Sequence, residues 1–116
     1  LYEGVRFVRQ MGLSNISAHE EMLAQLLTAE LESLPGVRVF HGEKQAGVVS
    51  FLLENEDVEQ TAKRLSMRGV YVRAGLHCAP LAHESAGTLR SGTVRVGFSV
   101  FNTAFEVRQA VRALKL

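Results

Sequence analysis

Apolar residues along the chain recur in two distinct periods, and the change from one to the other divides the sequence into elements. Val5, Val8 and Met11 recur at helical spacing and stop at Gly12, which reads as the end of a helix. The clearest helix is expected from about Ala18 to Leu34. Ser17 and Glu20 form an S-x-x-E capping box ahead of it, and Leu23, Leu26, Leu27, Leu31 and Leu34 make one stripe. Pro35-Gly36 closes it. Val37 to Phe40 and Ala46 to Leu53 then read as two short strands around a polar turn at Gly42. Asn55 is the expected cap of a further helix that carries Val58, Ala62 and Leu65 inward and stops at Gly69. Val70 to Arg73 is a third strand, and Thr93 to Phe98 a fourth by its alternation. Thr103 and Glu106 form a second capping box, opening a last helix with Val107, Val111 and Leu114 on one face.

The order is helix, helix, strand, strand, helix, strand, long loop, strand, helix. It predicts an α+β fold: a small, mainly antiparallel sheet with helices packed on one side. The other sheet face must then be polar or covered. About nineteen residues, Ala74 to Gly92, show no usable period, and a loop that long in a compact domain is usually functional or disordered. Helices at both termini and a projecting loop suit a domain that docks on a larger one. The chain begins at Leu1 rather than Met, and its opening residues read as the middle of something. We therefore expect 1–116 to be a single domain cut from a longer protein.

Composition narrows the field only a little. The chain has 116 residues, 47% hydrophobic and 22% charged, with formal net charge +1, so it is expected to be globular and not to bind nucleic acid. No apolar stretch approaches the ~20 residues a membrane helix needs, and the opening segment lacks the apolar core of a signal peptide. A single cysteine excludes an internal disulfide framework and fits a cytoplasmic setting.

That cysteine carries most of the chemical interest. Cys78 follows Gly75-Leu76-His77 and precedes Ala79-Pro80, inside the aperiodic loop. A lone cysteine is ordinarily a small buried hydrophobe, but a loop position suits a reactive thiol. A thiol attacks as its thiolate, which cationic neighbours favour, and His77, Arg73 and Arg95 are candidates to supply that field. Arg95 sits mid-strand with Val94 and Val96 on the opposite face. It is either a solvated strand arginine or a fork aimed at a carboxylate, and Arg73 presents the same choice. From Arg68 to Arg95 the chain holds Arg68, Arg73, Arg90 and Arg95 against Glu84 alone, a local excess that favours an anionic ligand.

Other constellations are weaker. Adjacent His77 and Cys78 with His83 make poor zinc geometry, so no metal is expected. His19 and His41 read as surface residues. Lys44, Lys63 and Lys115 are not placed as a Schiff-base lysine would be, and Gly75, Gly87, Gly92 and Gly97 form no dinucleotide fingerprint.

The run Val72-Arg73-Ala74-Gly75-Leu76-His77-Cys78-Ala79-Pro80, followed by Gly92-Thr93-Val94-Arg95 and Phe101-Asn102-Thr103, resembles the C-terminal small domain of class V aminotransferase-like cysteine desulfurases. These are enzymes of the fold-type-I pyridoxal 5′-phosphate (PLP) group, and the likeness is to the SufS-like, group II branch. The resemblance implies conversion of L-cysteine to L-alanine, with Cys78 as the nucleophile that carries the sulfur as a persulfide. It implies that Arg95 clamps the substrate carboxylate, while Arg73 and His77 support the nucleophile. PLP and its lysine would belong to a large domain of the same parent chain, so the fragment would be inactive alone. A homodimer and a sulfur-acceptor protein are further implied partners. Leu76 stands where this loop commonly has a second histidine. Another class V PLP reaction, or a stand-alone sulfur-acceptor or ligand-binding module, remains open at this point.

Overall fold

The computed structural model describes residues 1–42 and 46–115. Among the described residues nine elements follow one another, the eight expected ones in their predicted order and a short helix inside the expected loop: α1 (Tyr2–Met11), α2 (Leu13–Glu32), β1 (Val37–Phe40), β2 (Val48–Leu53), α3 (Val58–Ser66), β3 (Arg73–Gly75), α4 (Pro80–Ser85), β4 (Thr93–Gly97) and α5 (Ala104–Lys115). The strands form one antiparallel sheet in the order β1-β2-β4-β3.

Side-chain alternation sorts the sheet into two faces. Val39, Phe51, Val94 and Ala74 are in register across all four strands. Phe51 and Val94 are buried there with Val49 beneath Leu23, Leu27 and Leu31 of α2, Val58 and Leu65 of α3, and Val107, Val111 and Leu114 of α5. The adjacent row, Phe40, Ser50, Arg95 and Arg73, lies on the opposite face. The long helices thus cover one side, as the pattern predicts.

Several boundaries differ from the sequence reading. α2 starts at Leu13, directly after Gly12, whose φ of 83° lets the chain turn from one helix into the next. Ser17 and Glu20 therefore lie inside the helix and cap nothing. Glu20 is instead pressed against Gly47, where a Cβ would come within 2.8 Å of its own. α3 is capped by Asp57, not Asn55: the Asp57 carboxylate accepts from the backbone N–H groups of Glu59 and Gln60. Thr61, rather than Ala62, is the fully buried middle residue of that helix, and its hydroxyl donates to Glu56. Gly69 ends it as expected, through bonds from Gly69 and Val70 to the carbonyls of Ser66 and Leu65.

The third strand is displaced. It covers Arg73–Gly75, while Val70 and Val72 turn partly into the core without pairing. The fourth strand stops at Gly97 and the second begins at Val48. The Thr103–Glu106 box forms as read: the Thr103 hydroxyl accepts from the Glu106 N–H, and the Glu106 carboxylate accepts from the Thr103 N–H at 2.9 Å. His19, expected at the surface, is half-buried and bridges α2 to the turn before α5 through the Asn102 carbonyl, 2.8 Å away. His41 is exposed beside Glu32. No helix among the described residues is long and apolar enough to cross a membrane.

Candidate functional site: the turn at Cys78 and the open face of the sheet

The segment between β3 and β4 is more ordered than its composition suggests. Leu76 to Ala79 is a β-turn closed by the Ala79 N–H on the Leu76 carbonyl, 3.0 Å. Its two central residues are His77 (φ 52°) and Cys78 (φ 58°), both in the left-handed region. This is the type I′ pattern, normally filled by Gly, Asn or Asp, because a Cβ there costs about 1–2 kcal/mol per residue. A histidine and a cysteine in those positions are held by their surroundings. Pro80 then opens α4 at a position where its missing N–H has no partner to lose. Gly87, at φ 71°, ends that helix through bonds from Gly87 and Thr88 to the carbonyls of Glu84 and His83. Six residues are too few to show a helical period, so the sequence pattern predicts only a loop here. At the far end Gly92 packs on the backbone of Gly75, where an added Cβ would meet the carbonyl carbon and oxygen at 2.9 Å. The two ends of the segment are thereby pinned together.

α4 lies over the open face of the sheet and leaves a cleft of about 270 Å³ between them. Phe40, Ser50, Thr93 and Arg95 line it from the sheet; His77, Ala82, His83 and Ala86 contribute from the segment above. The sequence-derived candidates converge here. Arg95 points from β4 into the cleft, on the face opposite Val94 and Val96, as the alternation predicts. Arg73 on β3 is its direct cross-strand partner. Neither guanidinium makes a side-chain hydrogen bond or an ion pair among the described residues. Both side chains are exposed; like charges directly opposite each other destabilise a sheet, and an anion placed between the two arginines would relieve that repulsion.

His77 is half-buried, and its Nε2 lies 3.1 Å from the Thr93 carbonyl, which accepts from it. The ring thereby fastens the turn to β4 and fixes the position of the next residue. Its pKa is lowered, first by burial and further by the charge of Arg95 and by the neighbouring His83 and Arg73, against the opposing pull of the Thr93 carbonyl. The shift favours the neutral ring over the cationic one that the sequence reading expected. Arg73 and Arg95 supply the positive charge. Cys78 itself is exposed at the tip of the turn and lies outside the cleft lining. A thiol displayed this way is open to groups brought to it from outside.

The sequence reading did not assign His83 to the site. It is 7% exposed, its ring centroid is 5.9 Å from that of His77, and its Nδ1 lies 2.8 Å from the Thr88 hydroxyl. The signal for it was weak, since its place depends on α4 folding back over the sheet.

The architecture is an α+β layer with a four-stranded antiparallel sheet, carrying a cysteine turn and an arginine pair on its open face. The chain belongs to the aminotransferase class-V family, whose model matches residues 1–110. It is 35% identical over 116 residues to a Mycolicibacterium paratuberculosis protein described as "Probable cysteine desulfurase", a match covering 99% of this chain and 17% of that one. Among solved structures it superposes on the apo cysteine desulfurase of Thermococcus onnurineus NA1 with a TM-score of 0.90 at 31% identity, covering 97% of this chain and 28% of that one. The Escherichia coli cysteine desulfurase CsdA, in an S-sulfonic acid form, gives a TM-score of 0.88 at 24% identity over 95% of this chain and 27% of its own, a likeness of fold alone. The chain thus spans less than a third of each of these relatives.

The family is generally PLP-dependent. Among the described residues, Lys63 lies on the exposed side of α3 and Lys115 at the end of α5, and neither lines the cleft. Lys44 lies outside the described residues. Among the described residues the site thus brings together two arginines and a thiol, and no lysine lines the cleft.

Proposed function

We propose that this chain is the sulfur-accepting, C-terminal small domain of a PLP-dependent cysteine desulfurase of the SufS-like branch, with PLP held by a larger domain of the parent chain. The observation that carries the reading is the pairing of an exposed thiol on a strained turn with two unpaired arginines in register beside it. In this reading Arg95 takes the carboxylate of L-cysteine through its planar fork, and Arg73 adds to the same positive field. Cys78 attacks the substrate sulfur as thiolate. A sulfur–sulfur bond forms, the carbon–sulfur bond breaks, and its electron pair stays on the substrate carbon, which takes a proton and leaves as L-alanine. PLP supplies the electron sink that makes such a cleavage accessible. His77 holds the turn through its bond to the Thr93 carbonyl, so that the thiol is fixed before substrate arrives.

Support for a larger partner domain comes from α1. It buries no residue of its own, leaves Tyr2, Val5 and Met11 exposed, and touches the body through α2 and a stack of Phe7 on Phe101, ring centroids 5.5 Å apart. An amphipathic helix with an open apolar face is suited to packing against further protein. A homodimer and transfer of the persulfide to an acceptor protein complete the proposal, on the strength of the family resemblance.

The deciding experiment is Cys78→Ala in the PLP-loaded parent chain. Alanine release from L-cysteine should fall to background while the PLP absorbance survives, and a persulfide should be detected on Cys78 of the wild type by mass spectrometry. Alanine release at the wild-type rate from the variant would remove Cys78 from the mechanism.

A further inference from the structure

His83 and Thr88 are buried polar side chains that the proposed reaction leaves without a task. The turn at His77 and Cys78 needs a restraint, because left-handed residues that carry a Cβ relax unless their surroundings hold them. Backbone packing supplies little of it. Among the described residues, no Cα of α4 comes within 8 Å of a Cα in another helix or strand. The hydrogen bond that ties segment 76–91 to a strand is that of the His77 ring to the Thr93 carbonyl. One bond at Nε2 fixes a distance but not the tilt of the imidazole. His83 supplies the second support: its ring lies against that of His77, centroids 5.9 Å apart and planes at 37°. Thr88 in turn holds His83, with its hydroxyl 2.8 Å from Nδ1, a bond that forms whichever of the two atoms donates. Thr88 is 1% exposed and bonded through its backbone in both directions. Its N–H donates to the His83 carbonyl at 2.8 Å, and its carbonyl accepts from the Gly92 N–H at 2.7 Å. The contacts close a circuit from Gly92 through Thr88, His83 and His77 to Thr93, the residue next to Gly92. No buried side-chain nitrogen or oxygen among the described residues lacks a partner, and a satisfied polar network of this kind is rigid.

We propose that His83 and Thr88 are positioning residues for the Cys78 thiol. Thr88 holds the His83 ring, His83 backs the His77 ring, and His77 holds the turn that presents the thiol. Both act through His77 and take no part in the chemistry themselves. The placement of the thiol stands on the geometry alone, and its effect on turnover rests on the desulfurase reading. A thiol fixed before substrate arrives speeds the step in which it attacks and leaves substrate affinity unchanged.

The test is amide hydrogen exchange on the full chain, read at two positions. The Ala79 N–H closes the turn on the Leu76 carbonyl, and Val94, buried in the central strand β4, reports the stability of the whole fold. His83→Ala removes the supporting ring. Thr88→Val keeps the side-chain volume and removes only the hydroxyl, so it carries the test even if His83→Ala fails to fold. Each variant should speed Ala79 exchange about tenfold relative to Val94, the scale of one hydrogen bond. Thr88→Ser keeps the hydroxyl and should hold Ala79 within about twofold of wild type. In the PLP-loaded parent chain, Thr88→Val should lower kcat for alanine release about tenfold and leave KM for L-cysteine unchanged. Ala79 exchange that is unmoved in Thr88→Val, or that changes only in step with Val94, overturns the proposal. So does a Thr88→Ser variant that behaves like Thr88→Val, or a raised KM at unchanged kcat. The two readings separate. Cys78-dependent alanine release with kcat indifferent to Thr88→Val leaves desulfuration standing and removes the positioning role. Selective loosening of Ala79 in a protein whose alanine release needs no Cys78 does the reverse.

Discussion

Replacing Arg95 with Gln should make the protein more stable and less able to hold an anion. Arg73 and Arg95 are direct cross-strand partners with no counter-ion among the described residues. In a solvated setting the repulsion is about 0.5–1 kcal/mol, the upper part of the range for charged pairs opposed across two strands. For a domain of this size that corresponds to a melting-temperature rise of about 2–4 °C when one charge is removed. The origin is electrostatic, so the gain should shrink to near zero at about 1 M salt, where screening acts over ~3 Å. Thermal melts of wild type and Arg95→Gln at low and high salt measure the effect, and calorimetric titration with propionate measures the loss of anion affinity. The His77 pKa should rise in the same variant, because the Arg95 charge is one of the causes that lowers it. A variant that melts below wild type at low salt would refute the reasoning, since it would mean that Arg95 stabilises the fold.

Three further outcomes test other parts of the structure. His77 should make stability pH-dependent in a defined direction. Its folded pKa lies below the ordinary 6.5, so its contribution is complete above that value and is lost as pH falls through the folded pKa; denaturant titrations across that range should show this slope in wild type and its absence in His77→Gln. Cys78→Gly should stabilise by about 0.5–1 kcal/mol, because relief of the left-handed Cβ outweighs the added chain entropy and an exposed side chain gives up little packing; chemical denaturation beside Cys78→Ala measures it, and a destabilised Gly variant would argue against strain in the turn. Asp57→Ala should lose about 1 kcal/mol by removing the cap of α3, while Asn55→Ala stays within about 0.5 kcal/mol of wild type, as urea midpoints will show.

The sheet and the faces of its helices were legible because burial imposes a period. Val94, Arg95 and Val96 alternate in sequence, and the structure turns Arg95 away from Val94 and Val96. The Thr103–Glu106 box was legible for the same local reason, since both partners lie within one turn. An equally good motif at Ser17–Glu20 misled, because Gly12 at φ 83° lets α2 begin several residues earlier and no local pattern records that. Asn55 and Asp57 are both good caps, and the choice between them depends on Glu56, whose carboxylate pairs with Arg64 at 2.8 Å and accepts from Thr61. Of the site, Cys78 and Arg95 were readable as residue types in context. His83 and Thr88 were not, because their meaning arises only when a six-residue helix folds over strands distant in sequence.

The contact of Gly92 on Gly75 has a consequence for how the segment between β3 and β4 can vary. The cysteine turn, α4 and the His83–Thr88 pair all hang from one hairpin whose stem is closed at that contact. The closure cost of such an excursion grows only with the logarithm of its length, about 0.6 kcal/mol for each doubling. The segment is thus an interchangeable module: its contents can be lengthened, shortened or rewritten while the strands that carry Arg73 and Arg95 keep their register. A Gly92→Ala change would unlatch the module from the sheet while leaving Arg73, His77, Cys78 and Arg95 unaltered.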